Sequence, residues 1–179
     1  TSEVITQSPL QELRMKKKIF IFSLGTLIMS LMSGFSLTLP WTPIKLSLQS
    51  LGVSLLIIFF MKDSCYGILG YLIAASLGLP VLAGSEANQD WIITPKAGYL
   101  IGFLIASLIV PRILERINPV RFATSWLCFS LNEGIILLLG WAFLSWHVSP
   151  LPAWKLGILP FLPGAALKIT IATFLWKKN

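Results

Sequence analysis

Charged residues are scarce in this chain. Only 12% of its 179 residues are Asp, Glu, Lys or Arg, whereas a soluble domain carries about 25%. Hydrophobic residues make up 55% of the chain, and the mean hydropathy is +0.81. Most of the chain must therefore face lipid or other apolar helices, which excludes an ordinary soluble domain.

The motifs of common enzyme sites are also missing. His147 is the sole histidine, and no Gly-x-Ser-x-Gly motif accompanies it, so an intramembrane hydrolase that uses His147 is a poorly supported alternative. No Gly-x-x-x-x-Gly-Lys-Ser/Thr loop is present to bind ATP in the P-loop manner. Cys65 and Cys128 are too few for a disulfide framework, and no His, Cys and carboxylate cluster has metal-ligand spacing. We therefore expect no enzymatic activity, no metal and no cofactor.

Six apolar runs in the sequence are candidates for membrane-spanning helices. A spanning helix needs about 20 largely apolar residues, and such runs must be helical because the bilayer core holds no water to satisfy stray backbone groups. The predicted spans are 18–39, 47–61, 64–82, 96–113, 122–146 and 155–176. The sequence thus predicts an all-α, polytopic membrane protein. Its six-helix transmembrane domain covers residues 15–179 and follows a polar tail over residues 1–14.

Basic residues lie mostly on one side of these predicted helices. If the N-terminus is cytoplasmic, that side receives ten of the fourteen: Arg14, Lys16, Lys17, Lys18, Lys62, Arg112, Arg116, Arg121, Lys177 and Lys178. This positive-inside bias predicts that both termini of the multi-pass protein are cytoplasmic. The net charge of +7 is then a topology signal, and no nucleic-acid partner is expected.

Two ionisable side chains fall inside the predicted spans. Glu133, beside Asn132, is near the middle of the fifth span, and Lys168 is well inside the sixth. A charge at the centre of a helix costs about 2.5–3.5 kcal/mol on insertion scales, so its presence implies a partner or a function. The two residues could form a structural ion pair, or they could face an outward-opening cavity and contact a polar solute.

Three stretches of the sequence carry a family resemblance. The first combines Gly78-Leu-Pro-Val-Leu-Ala-Gly84 with Thr94-Pro-Lys-Ala-Gly-Tyr99, the second is Pro160-Phe-Leu-Pro-Gly-Ala-Ala-Leu-Lys168, and the third is Pro43-Ile-Lys-Leu-Ser-Leu-Gln-Ser50. They resemble motifs of the BioY family, the biotin-binding membrane proteins of bacterial vitamin importers. The departures are Ala165, where the family motif has an aspartate, and Lys45, where it has a proline.

The resemblance implies the substrate-binding (S) component of an energy-coupling-factor (ECF) importer in a bacterial cytoplasmic (inner) membrane. Such a component captures biotin from outside with high affinity and releases it after reorientation in the lipid bilayer, together with a transmembrane coupling subunit and two ATPase subunits. Biotin's carboxylate needs a cation, and its ureido group needs both an acceptor and a donor. The candidate substrate-binding residues are Gln49, Tyr71, Asn88, Lys96, Tyr99, Asn132, Glu133 and Lys168. The loop from Gly84 to Pro95 is the predicted outer lid.

Small residues at four-residue spacing mark three of the predicted helices. In the first helix, Thr26, Ser30 and Gly34 resemble the stripe on which the family docks its coupling subunit. In the third and fourth helices, similar stripes predict close packing inside the bundle; they are Gly70, Ala74 and Gly78, and Gly98, Gly102 and Ala106. Because Ala165 and Lys45 depart from the motifs, a related component for another vitamin is an alternative. A membrane scaffold without a ligand is another.

Overall fold

The structure, a computed structural model, describes residues 9–118 and 121–177. Five helical segments of the described chain are long and apolar enough to cross a membrane. They are Pro9–Gly34, Gln49–Ser76, Ala97–Ile117, Phe122–Val148 and Pro150–Trp176. The predicted polytopic helical architecture is therefore confirmed, although several helix boundaries differ from the predicted ones.

The first helix, α1, is Pro9–Gly34, so it begins inside the stretch predicted to be a polar tail. The predicted continuation of this helix to residue 39 is wrong. Instead, Ser36–Leu37 (β1) pairs antiparallel with Leu46–Ser47 (β2). Pro40 and Pro43 lie in the connection between these strands, and proline cannot donate a helical hydrogen bond.

The next two helices are short and run in opposite directions, since Gln49 at the start of the first hydrogen-bonds to Tyr71 in the second half of the other. Gln49–Phe60 is α2 and Ser64–Ser76 is α3; one turn of 3-10 helix, Met61–Asp63, joins them. The end of α3 comes before the predicted residue 82, because Gly78 has a φ of +80° and Pro80 follows it. Neither residue continues a right-handed helix.

The remaining helices complete the bundle. Ala97–Ile117 is α4 and Phe122–Val148 is α5. The predicted sixth span is divided in the structure into Pro150–Gly157 (α6), a 3-10 turn at Leu159–Phe161, and Leu162–Lys177 (α7). This interruption coincides with Pro160, whose ring and missing N–H disfavour an unbroken helix.

Glycines let α1 and α3 approach closely. A Cβ atom added to Gly25 would collide with the Cα atom of Gly67, and one added to Gly70 would collide with the hydroxyl of Thr26. Lys17 forms an ion pair at 2.7 Å with Asp63, just before α3 begins. The contacts of Gly25 and Thr26 come later in α1 and fall later in α3, so the two helices run parallel. The buried residues of α1 are Ile21, Gly25, Met29 and Ser33.

The small-residue stripes differ in their use. Gly98 and Gly102 of α4 pack on the backbone of α5, as predicted for internal packing. Gly78, by contrast, lies beyond the end of α3. On α1, Thr26 contacts Gly70 of α3, so this part of the predicted docking stripe is engaged inside the protein. Ser30 is half-buried, and Gly34 is exposed at the end of the helix.

Candidate ligand-binding site

A cavity lies between α2, α4, α5 and α7, beneath the loop that joins α3 to α4. Its empty space is about 600 Å³, including adjoining solvent. Apolar side chains form most of its wall, among them Leu100, Phe103, Ile136, Leu137 and Phe161. The polar lining residues fall into an inner group and an outer group, at two separate places on the wall.

The inner group is built around a buried ion pair. Lys168 and Glu133 are 9% and 3% exposed, and Lys168 Nζ lies 3.8 Å from Glu133 Oε2. Lys168 also donates a 2.5 Å hydrogen bond to the hydroxyl of Ser50 on α2. The other carboxylate oxygen, Glu133 Oε1, is buried without a hydrogen-bond partner among the described residues. Since buried polar atoms are nearly always satisfied, this oxygen is an acceptor available to a ligand.

Gln49 lies at the start of α2 and is also part of the cavity wall. Its side-chain N–H donates to the hydroxyl of Tyr71, and its carbonyl accepts from the hydroxyl of Ser47 at 2.9 Å. Tyr71 is fully buried behind Gln49 and is not among the lining residues, so it orients the amide. This differs from the direct ligand contact that the sequence suggested for Tyr71.

Asn132 lies next to the inner group but is not part of the cavity wall. Its amide N–H donates to the hydroxyl of Ser54 on α2 at 3.1 Å, and its Oδ1 atom is buried without a partner among the described residues. The residue is 0% exposed. Asn132 therefore ties α5 to α2 one position before Glu133 in the sequence.

The outer group contains two lysines and one carboxylate. Lys96 Nζ donates to Glu86 Oε1 and Oε2 at 2.7 and 2.6 Å, and Lys45 Nζ is 3.5 Å from Glu86 Oε2. Both lysines line the cavity. The hydrogen bond from Lys96 holds the pKa of the Glu86 carboxyl below its ordinary value, and the charge of Lys45 acts in the same direction. The group carries a net charge of one positive unit: two lysines against one glutamate.

Tyr99 forms part of the aromatic wall. Its ring stacks on Phe161 with 5.7 Å between centroids and 25° between planes. Its hydroxyl donates a 2.7 Å hydrogen bond to the carbonyl of Gly157. The ring fits because Gly140 has no side chain; a Cβ atom there would overlap it. The predicted residue thus contributes a rigid apolar surface, while its hydroxyl is used by the protein.

The loop over the cavity is fastened at several points. Leu82 and Glu86 exchange two backbone hydrogen bonds, and the N–H of Gly84 donates to the carbonyl of Ser33 at the end of α1. Gly84 has a φ of +79°, and a Cβ atom there would come 2.8 Å from Lys45 Nζ. Glycine is therefore required at this position. Leu82 and Ala83, in this same turn, face the cavity.

Asn88 is the one predicted site residue that the structure does not bring to the cavity or its backing. Its Oδ1 atom accepts from the backbone N–H of Asp90, two residues on, which is an Asx turn in the loop. Sequence reasoning, in turn, missed Ser50 and did not assign Lys45 to the site. Both lie in the Pro43–Ser50 stretch whose resemblance had already pointed to Gln49.

A mostly apolar cavity with a few converging polar groups is the usual form of a small-molecule site. The fold and this site therefore define a polytopic helical membrane protein with an internal ligand cavity. The model of the BioY family matches residues 6–179. The chain belongs to the BioY family.

Individual relatives are similar over most of their length. A probable biotin transporter BioY of Pyrococcus horikoshii is 34% identical over 155 residues, which are 86% of this chain and 91% of that protein. The biotin transporter BioY of Rhodobacter capsulatus is 32% identical over 143 residues, 72% of this chain and 74% of that one. A crystal structure of the S-component for biotin from an ECF-type ABC transporter has a TM-score of 0.82, covering 97% of this chain and 94% of that one at 19% identity. The chain therefore has the fold of that S-component.

Proposed function

We propose that this chain is the biotin-binding component of a vitamin importer and that it captures biotin from the outer side of the membrane. Its role is transport, without catalysis. Membership of the BioY family and relatives named as biotin transporters support this proposal. The observation that carries it is a largely apolar cavity that offers both a buried cation and a buried acceptor for which the described part of the chain supplies no hydrogen-bond partner.

The two polar groups match the two polar ends of biotin. A ureido group presents N–H donors and a C=O acceptor. Glu133 Oε1 is an acceptor with no partner in residues 9–118 and 121–177, and Lys168 Nζ is a donor beside this carboxylate. We therefore assign the ureido group to the inner group. The carboxylate belongs at Lys45 and Lys96, where the net charge is positive. The bicyclic ring and the valeryl chain lie against Tyr99, Phe103 and the neighbouring apolar wall.

Glu133 supplies the hydrogen-bond acceptor that an aspartate at position 165 would supply. Ala165 is buried, 4% exposed, and its methyl group accepts no hydrogen bond. Glu133 reaches the same region from α5, since it lies 3.8 Å from Lys168, three residues after Ala165 on α7. In this proposal Gln49, Lys96, Tyr99, Glu133 and Lys168 contact the ligand. Tyr71 and Asn132 support them from behind, and Asn88 has no contact.

We further propose six membrane crossings with both termini in the cytoplasm of a bacterium. The direct support is the reversal of direction between α2 and α3. Gln49 at the start of α2 hydrogen-bonds to Tyr71 in the second half of α3, and a Cβ atom on Gly67 of α3 would lie 3.2 Å from Leu56 Cδ1. Helices of 12 and 13 residues are only about 20 Å long, so the adjoining loops complete these two crossings. The basic residues then fall mainly on the inner side of the cytoplasmic membrane.

The proposed partners are a transmembrane coupling subunit and two ATPase subunits. Helix α1 is the least enclosed of the five long segments. In an apolar stretch of 18 residues, 22% of its residues are buried, against 39–61% for the other segments. We propose that the coupling subunit docks beside Ser30 and Gly34 on this helix. Thr26 stands at the edge of that surface, since it packs against Gly70.

Binding of labelled biotin to the purified protein in nanodiscs tests the proposal. We expect saturable binding at submicromolar biotin, and loss of binding in Lys168→Met. Lys155→Met is the matched control, because Lys155 is exposed on α6. Binding of another vitamin in place of biotin would favour the related S component. If no vitamin binds, and biotin uptake by cells is unchanged when Lys168→Ala and Glu133→Ala are combined, the alternative of a membrane scaffold without a ligand is correct.

A further inference from the structure

The outer group contains a carboxylate that the proposed ligand does not need. Biotin's own carboxylate would be satisfied by the two lysines, yet Glu86 already accepts both of its hydrogen bonds from Lys96 and lies 3.5 Å from Lys45. Glu86 is not a lining residue of the cavity, whereas both lysines are. The protein thus carries an internal anion at the cations that face the ligand.

We propose that Glu86 sets the anion selectivity of the cavity by competing with the ligand's carboxylate for the ammonium groups of Lys45 and Lys96. This inference rests on the proposed function, and it adds a specificity-determining residue that does not itself contact the ligand. Without ligand, Glu86 keeps two like charges together in a partly buried place. With ligand, the N–H donors of the lysines are shared between two carboxylates.

The geometry of the loop keeps Glu86 in this position. The backbone hydrogen bonds between Leu82 and Glu86 close a tight turn, and Gly84 at its tip leaves room for Lys45 Nζ. Lys96 comes from the N-terminal boundary of α4, on the other side. The side chains of Lys96, Lys45 and Glu86 are 22%, 28% and 33% exposed. A partly buried group of this kind is screened less than a surface pair, so its net charge acts on a nearby ligand.

The net charge of the group can be changed in single steps. The native group has a net charge of +1, Glu86→Gln raises it to +2, and Lys45→Gln lowers it to zero. The ligand can be changed in the same way, because biotin is an anion whereas biotin methyl ester is neutral with the same ureido ring. If Glu86 competes with the carboxylate, affinity for biotin is highest in Glu86→Gln, intermediate in the native protein and lowest in Lys45→Gln. Affinity for the ester stays flat.

Equilibrium binding of biotin and of its methyl ester to the three proteins in nanodiscs measures this order. We expect about a fivefold rise in biotin affinity for Glu86→Gln and a fall of similar size for Lys45→Gln, as for partly exposed charge pairs. Glu115→Gln, which removes the partner of Lys62 on a different part of the protein, is the control and should bind both ligands like the native protein.

Two results would overturn the inference without contradicting the proposed function of the native protein as a biotin-binding component. A parallel loss of affinity for biotin and ester in Glu86→Gln would mean that Glu86 only holds the loop closed. Unchanged affinity for both would mean that the lysines do not meet the carboxylate. If the native protein binds neither ligand, the proposed function fails and this inference fails with it. A Glu86→Gln protein that does not fold leaves Lys45→Gln, whose selective loss of biotin affinity is still required.

Discussion

Glu133 of α5 and Lys168 of α7 face each other in the interior, with 3.8 Å between Oε2 and Nζ. Ser50 of α2 accepts a hydrogen bond from the same ammonium group. Three helices that are distant in sequence therefore meet at one buried charge pair. Because no residue that the structure describes bonds to the second carboxylate oxygen, the pair is suited to receive a ligand as well as to hold the helices together.

Removing both members of this pair should destabilise the protein by less than the sum of the two single changes. Lys168→Met or Glu133→Gln alone leaves a buried polar group without its partner. We expect each to lower the free energy of unfolding, for Lys168→Met by about 3 kcal/mol. The double variant should lose less than the sum of the two, because no unpaired charge remains. Thermal unfolding in detergent measures stability, and biotin binding should be absent from the double variant even if it is stable. Additive losses would show that the two residues do not interact.

The sequence predicted the membrane class, the family and most of the inner group, because those depend on local signals. Apolar runs, basic loops and an isolated lysine such as Lys168 can be recognised in the sequence without knowledge of tertiary contacts. The helix ends near Pro40, Gly78 and Pro160 were predicted less well. Proline and glycine permit a break at several nearby positions, and tertiary packing selects among them.

Contacts between loops could not be predicted. Lys45, Glu86 and Lys96 lie on three separate segments, and no spacing relates them. On α1, the predicted docking stripe included Thr26 but not Gly25, the preceding residue, which makes the close contact with α3. One residue turns a helix by about 100°, so a stripe of small residues does not determine which neighbour it meets. Only the structure places Gly25 against Gly67.

The contact between Gly25 and Gly67 should be intolerant of a single methyl group. Gly25→Ala would push the new Cβ atom into the backbone of α3, and backbone cannot move aside as a flexible side chain can. We expect a loss of about 2 kcal/mol in the free energy of unfolding, typical of overpacking. Gly164→Ala is the control, since no atom lies within 4 Å of the added Cβ. Thermal unfolding of both variants checks this, and equal stability would contradict the packing described for α1 and α3.

Gly140 should affect ligand binding through Tyr99. In Gly140→Ala, the added methyl group overlaps the Tyr99 ring, which must leave its place in the cavity wall beside Phe161. We expect about a tenfold lower affinity for biotin, from loss of roughly 1.4 kcal/mol of contact. Tyr99→Phe should bind nearly normally, because the hydroxyl serves Gly157.

The control for Gly140→Ala lies on the same helix. Gly134→Ala of α5 places its Cβ atom in open space, so its affinity for biotin should equal that of the native protein. Isothermal titration of the three variants gives the comparison. A loss in Gly134→Ala equal to that in Gly140→Ala would trace the effect to α5 itself and not to the position of Tyr99.

Amide hydrogens of the Leu82–Glu86 turn should exchange faster in acid, through local fluctuations of the turn that leave the loop in place over the cavity. The hydrogen bond from Lys96 and the charge of Lys45 lower the pKa of Glu86. A carboxyl with a lowered pKa contributes its pairing energy fully above the ordinary pKa, about 4.3, and loses it as the pH falls through the lowered value. Hydrogen exchange of the Leu82–Glu86 turn, corrected for the intrinsic rate, should therefore be constant from about pH 7 to 5 and should rise below about pH 4. Glu86→Gln should remove this rise, while Glu115→Gln, at the ion pair with Lys62, should retain it. Persistence of the acid response in Glu86→Gln would assign it to another carboxyl group.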